Sequence, residues 1–270
     1  MINQAKTHRS TEAAGWIVCQ QPRPTASLRL ICFPHAGGSP WLFRNWTQRM
    51  PTGIEVNAIQ LPGHGSRLRE TPINDFPELI ERLGEELQTK IARPFALFGH
   101  SLGALMAFEL ARHLRDGGRP GPTHLFVSGQ NAPQLLGERE AFSERDDSKL
   151  IDGLKELNCT PEQLLENQEL MDLMLPVIRA DLALYENYQY RPAEPLECPL
   201  TVLGGLDDPR TDFHGLEGWK EHTRNRFQTR QFPGDHFFVG TQEPLVTQTI
   251  AQDLEREAKH YQLGLSKPGK

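Results

Sequence analysis

Ser101 lies in Phe98-Gly99-His100-Ser101-Leu102-Gly103, a G-x-S-x-G pattern between the apolar run Phe95 to Phe98 and the long apolar stretch Leu102 to Leu114. A serine hydroxyl with a histidine base and a carboxylate behind it can attack an acyl carbonyl, so the pattern raises acyl-transfer chemistry. The run before it is continuously apolar, as in a strand buried on both faces. The stretch after it is rich in Ala, Leu and Met, too long for a strand, and reads as a core helix. A direct turn from strand to helix needs strained dihedrals at its apex, and Gly99 and Gly103 remove the Cβ atoms that would clash there. Ser101 then sits at the tip of a nucleophile elbow, with the N–H of Leu102 free to donate.

The partners of such a serine follow it in the order acid, then histidine. LTVLGGLDDPR places Asp207 and Asp208 directly after an apolar run, and QFPGDHFFV places His236 in the loop after the next one. Of the ten histidines, His236 has the order and the context; His260 lies in a charged helix tail and His222 on a polar face. One of the two aspartates is a turn former, since Asp before Pro commonly is, and either could be the acid. An oxyanion hole needs a second backbone donor besides Leu102, and the loop of ICFPHAGGSP supplies one, with Ala36 as the candidate. His35 beside it reads as a pocket wall, and His64 in LPGHGSRL as part of a Pro-Gly turn.

These residues need a scaffold. Leu28 to Phe33, Val56 to Leu61, the elbow strand, Leu125 to Ser128, Leu200 to Leu203 and Phe227 to Phe232 read as strands. Trp41 to Met50, Phe76 to Ile91, Leu102 to Leu114 and Leu245 to Ala258 read as helices between or after them. Strand–helix alternation predicts a mostly parallel sheet covered on both faces, with ligands beyond the carboxyl ends of the strands. One stretch, 139–190, holds only helical patterns: Leu150, Ile151, Leu154 and Leu157, then Leu170, Leu173, Met174, Val177 and Ile178. A helical insertion at this position reads as a lid over the active-site edge.

With 270 residues, 37% hydrophobic and 24% charged, the chain is long enough for one large α/β domain. A net charge of -6 without a basic stripe argues against nucleic acid as a partner. The polar N-terminus lacks a secretory signal and no segment reads as a membrane span, so a cytoplasmic protein is expected. Cys19, Cys32, Cys159 and Cys198 lack C-x-x-C spacing and read as reduced thiols, with neither a zinc site nor a disulfide framework.

The segments ICFPHAGGS, LPGHGSR, FGHSLGALMAFELA, LPVIRADLALYENYQY, GGLDDP and FPGDHFF, in this order between Leu28 and Val239, resemble the type II thioesterases. These are the stand-alone hydrolases that accompany polyketide and nonribosomal peptide synthases. The resemblance implies an α/β-hydrolase fold spanning 1–270 as one domain, with the helical lid at 139–190. It implies hydrolysis of acyl groups from the phosphopantetheine arm of acyl or peptidyl carrier proteins, editing stalled or mis-primed arms. By position, Ser101 matches the nucleophile, His236 the base, Asp208 the orienting acid, and Ala36 with Leu102 the oxyanion pair. Asp208 stands directly before Pro209, which stiffens its turn, while Asp207 leaves a one-residue ambiguity. Leu157-Asn158-Cys159-Thr160 departs from the Gly-rich turn the family often has in the lid. No metal or cofactor is implied; the pantetheine belongs to the substrate. A general carboxylesterase or lipase would share the elbow and triad, and a hydrolase-fold binding protein would lose the serine or the histidine, both present here. A carrier protein is acidic, so an acidic enzyme must meet it through a local basic surface. Arg44 with Arg49, Arg67 with Arg69, and Lys220 with Arg224 and Arg226 are the candidates.

Overall fold

A computed structural model describes residues 15–90, 94–137, 139, 141–156 and 167–262. Its strands are β1 (Ile17–Val18), β2 (Leu28–Phe33), β3 (Ile54–Ile59), β4 (Phe95–His100), β5 (Leu125–Ser128), β6 (Leu200–Gly205) and β7 (Phe227–Phe232). They form one sheet in the order β1-β3-β2-β4-β5-β6-β7. All pairings are parallel except that of β1 with β3. The sequence misses β1, because a two-residue strand carries no period of its own. Its place is fixed by pairing with Ile59 and Ala58 and by Gln60 N–H donating to the Trp16 carbonyl at 2.8 Å.

The helices are α1 (Trp46–Arg49), α2 (Phe76–Lys90), α3 (Leu102–Asp116), α4 (Asp147–Glu156), α5 (Gln168–Glu186), α6 (Phe213–Glu217), α7 (Phe238–Thr241) and α8 (Glu243–Gln262). Successive strand residues point to opposite faces, so the central strands feed two apolar layers. Ile31, Phe33, Leu97 and Val127 pack with Leu79 and Leu83 of α2 and Leu105 and Phe108 of α3. On the other face Leu30, Cys32, Phe98 and Phe126 pack with Trp46 of α1 and Val246, Ile250 and Leu254 of α8. The fold is the α/β-hydrolase architecture, a mostly parallel seven-stranded sheet with helices on both faces.

Two local differences from the sequence reading have simple causes. Trp41 to Met50 is not one helix but a 3₁₀ turn, Pro40–Phe43, followed by α1. Asn45, a poor helix-interior residue, occupies the joint. In the crossover between β5 and β6 no strand is formed among the described residues, and α4 and α5 share a small apolar cluster of Leu150, Leu154, Met171, Leu175 and Ile178. Leu173 is exposed instead, because the buried stripe of α5 runs through Met171, Leu175 and Ile178. Leu157 to Thr160 lie outside the described residues, as do Cys159 and the side chain of His260. Among the described residues no helix is long and apolar enough to cross a membrane.

Candidate active site

Ser101 joins β4 to α3 without a linker and takes φ 56°, ψ -122°, the only positive φ outside glycine among the described residues. Such a backbone costs about 1–3 kcal/mol and persists only where its surroundings fix it. Here Ser101 N–H donates to the Ser128 carbonyl at 2.7 Å, tying the elbow to β5. The flanking glycines are sterically required. A Cβ on Gly99 would lie 2.0 Å from the Gly103 carbonyl oxygen, and one on Gly103 would lie 2.4 Å from that of Phe33.

The loop after β6 carries Asp207 and Asp208 to different places. Asp207 is exposed, whereas Asp208 is buried and its Oδ2 accepts a 2.8 Å hydrogen bond from His236 Nδ1. Asp208 Oδ1 accepts from the Arg210 backbone N–H at 2.9 Å. Burial pushes the Asp208 carboxyl up, but the hydrogen bond and charge of His236, with the Arg210 N–H, outweigh it and hold the carboxyl below its ordinary value. The Asp208 carboxyl is thus held ionised beside the imidazole. His236 Nε2 is buried and has no hydrogen-bond partner among the described residues.

Two further imidazoles crowd His236. The His100 ring lies 5.0 Å from that of His236, and the His35 ring lies 6.1 Å from His100 and 5.3 Å from Phe237. Burial, reinforced by the neighbouring histidines, pushes His100 far down, and burial likewise lowers His35. Both rings are therefore neutral walls. Gly129 leaves the room they need, since a Cβ there would sit 2.6 Å from His100 Cε1 and 3.3 Å from His236 Cε1. Leu102 is the first residue of α3, where a backbone N–H has no intrahelical acceptor. Ala36 follows β2 in the neighbouring loop, and its carbonyl accepts from His35 Nδ1 at 2.9 Å.

One residue of this neighbourhood has no role in the sequence reading. Asp181 of α5 is buried, and its Oδ2 accepts from Gly37 N–H at 2.6 Å and from His64 Nε2 at 2.9 Å. It ties α5 to the residue after Ala36. The signal for it was a carboxylate on the buried stripe of an otherwise apolar helix face, three residues after Ile178. The His64 Nδ1 faces the Pro62 carbonyl at 3.1 Å, so both ring nitrogens face acceptors, an arrangement that favours the protonated ring. Burial lowers the His64 pKa, but the charge and hydrogen bond of Asp181 and the Pro62 carbonyl outweigh this and raise it overall. Asp181→Ala is expected to cost about 3–5 kcal/mol of stability, the scale for removing one partner of a buried pair, checked by urea unfolding. A raised folded pKa makes this stabilisation complete below the ordinary histidine pKa and lost as pH rises through the raised value. Stability should fall across that window in the wild type, and the slope should vanish in His64→Gln.

His222 is a correction. The structure buries it rather than leaving it on a polar face. The 3₁₀ turn Gly218–His222 eclipses positions three apart, so Trp219 and His222 point inward together. His222 packs on Phe108, Trp219 and Tyr190, hydrogen-bonds Gln134 Oε1 at 2.6 Å, and is pushed by burial down to about 4.

Residues 28–256 match the family model described as a thioesterase domain. The gramicidin S biosynthesis protein GrsT of Aneurinibacillus migulanus is 42% identical over 224 residues, covering 83% of this chain and 88% of GrsT. The structure of BorB, the type II thioesterase from the borrelidin biosynthetic cluster, matches with a TM-score of 0.81 at 36% identity, covering 88% of this chain and 96% of BorB. YbtT, the type II thioesterase from the yersiniabactin NRPS/PKS biosynthetic pathway, matches with a TM-score of 0.80 at 30% identity, covering 90% and 99%. An elbow serine on this sheet, matched over this length, defines a hydrolase of acyl thioesters. The chain belongs to the thioesterase family, as a type II thioesterase of nonribosomal peptide and polyketide synthesis.

Proposed function

We propose that this enzyme clears acyl groups from the phosphopantetheine arm of acyl or peptidyl carrier proteins, with Ser101 as nucleophile, His236 as base and Asp208 as orienting acid. The observation that carries the reading is the buried Asp208–His236 hydrogen bond, which leaves Nε2 as the ring nitrogen without a partner. Asp208 holds the Nδ1–H tautomer, so the Nε2 lone pair takes the Ser101 proton as Oγ attacks the thioester carbon. The oxyanion that forms is held by the N–H groups of Leu102 and Ala36. Collapse breaks the C–S bond, and the His236 imidazolium returns its proton to the leaving thiolate of the arm. Water then attacks the acyl-enzyme with His236 again as base, releasing the acid and restoring Ser101.

Residues 1–270 act as one domain in this reading, and α4 and α5 form its lid. Contact of Asp181 with Gly37 supports that role, because it seats α5 directly on the oxyanion loop. Mass spectrometry of a panel of acylated carrier proteins tests the proposal, with matched oxygen esters in parallel. Deacylated carrier carrying an intact arm, plus free acid, is the expected outcome. Oxygen esters turned over as fast as the carrier thioesters would make the protein a general carboxylesterase.

A further inference from the structure

Folding pairs four of the seven basic residues singled out in the sequence with carboxylates, and among the described residues Arg44, Arg69 and Lys220 have no such partner. Arg49 is held by Glu243 at 2.6 Å, and Arg67 is buried between Glu70, at 2.6 Å, and the Trp16 ring. Arg224 pairs with Glu194 and Glu197, and Arg226 with Glu257. Arg44 has no carboxylate partner among the described residues; its guanidinium lies 5.0 Å from the centre of the Trp41 ring, and Nη1 donates to the Trp41 carbonyl at 3.1 Å. Trp41 itself is 65% exposed.

This pair is rigidly mounted. Within the same turn Phe43 is buried against Trp46 at 5.0 Å and Phe98 at 5.9 Å, on the strand that ends in the elbow. The turn begins four residues after Ala36, in the loop that follows the carboxyl end of β2. Two more exposed apolar side chains follow the carboxyl end of β6: Leu206 (60%) beside Asp207 and Phe213 (64%) at the start of α6. Isolated exposed side chains are ordinary, but large apolar ones in the loops at the carboxyl ends of the strands suit a contact with a protein-borne substrate.

Resting on the carrier-protein reading above, we infer that Trp41 and Arg44 form the docking element for the acidic carrier protein. Trp41 supplies an apolar anchor and Arg44 a fixed positive charge on a chain that is negative overall. The remaining guanidinium donors of Arg44 are available to carboxylates of the acidic carrier.

The test compares one acyl group on a carrier protein with the same acyl group on free pantetheine. Trp41→Ala is expected to raise KM for the carrier substrate about 30-fold, the scale of an aromatic anchor. Arg44→Glu should raise it about tenfold and abolish the salt dependence of the wild-type KM, as expected for a rim charge. Both variants should hydrolyse acyl-pantetheine as the wild type does, which also shows them folded. Lys220→Glu, in the 3₁₀ turn Gly218–His222, should leave both substrates unaffected. Equal losses on both substrates, no loss on either, or the same carrier-specific loss in Lys220→Glu would overturn the assignment. If the wild type hydrolyses acyl-pantetheine and never the carrier-bound form, the partner is wrong and the docking element falls with it, while the hydrolase chemistry stands.

Discussion

Ser101→Ala is expected to lower kcat for acyl-thioester hydrolysis by at least about a thousandfold, with the fold unchanged, by analogy with other triads. That factor corresponds to about 4 kcal/mol of barrier. The substitution removes one oxygen and nothing that holds the elbow. Its backbone bond to the Ser128 carbonyl remains, and Gly99 and Gly103 still allow the tight packing of β4 on α3. What survives is the part of the rate due to the oxyanion donors and to substrate positioning, which do not need the hydroxyl. Single-turnover assays on an acyl-carrier substrate, with a thermal melt of the same preparation, decide it. Turnover within tenfold of wild type in a folded mutant would falsify the covalent mechanism.

Asp208→Asn is expected to cost about 10⁴ in kcat, the scale seen when a triad acid is neutralised. The reason can be read from two hydrogen bonds. Asp208 accepts from His236 Nδ1 with Oδ2 and from the Arg210 N–H with Oδ1. Asparagine has one oxygen for these two donors. If the oxygen stays with Arg210, the amide NH₂ faces His236 and forces its proton onto Nε2, the wrong tautomer for taking the Ser101 proton. Asp207→Asn touches neither bond, because Asp207 is exposed and contributes its backbone N–H to the Gly234 carbonyl at 3.0 Å. A cost of about tenfold or less, under ~1.4 kcal/mol of barrier, is expected there. Measuring kcat for both variants on one acyl-carrier substrate separates them; a larger loss in Asp207→Asn would move the acid one residue back.

The difference between these two aspartates also marks where sequence reading ends. Local sterics made the elbow legible: two glycines two residues either side of a serine, between a run too short for a helix and one too long for a strand, leave few conformations open. Much of the parallel sheet was legible for a similar reason, since strands buried on both faces, such as β4 and β5, are written as largely apolar runs. Ser101, Asp208 and His236 follow β4, β6 and β7, whose carboxyl ends the parallel sheet brings to one edge. The two-residue β1 was not legible, because its position depends on a partner strand some forty residues away. Nor was the burial of His222, which depends on a 3₁₀ rather than an α turn. The charge state of the surface was hidden too: Arg67 and Arg226 look free in sequence, and only folding brings Trp16 over one and Glu257 to the other. Asp181 is the clearest case. Its neighbours in sequence make it one polar residue on a helix, whereas the fold closes chain separations of 144 and 117 residues to put one carboxylate oxygen between Gly37 and His64. Residue types and local spacing determined which groups could react and how the chain turns beside them. Which groups meet was decided by packing, because burial and pairing depend on side chains that sequence distance keeps apart.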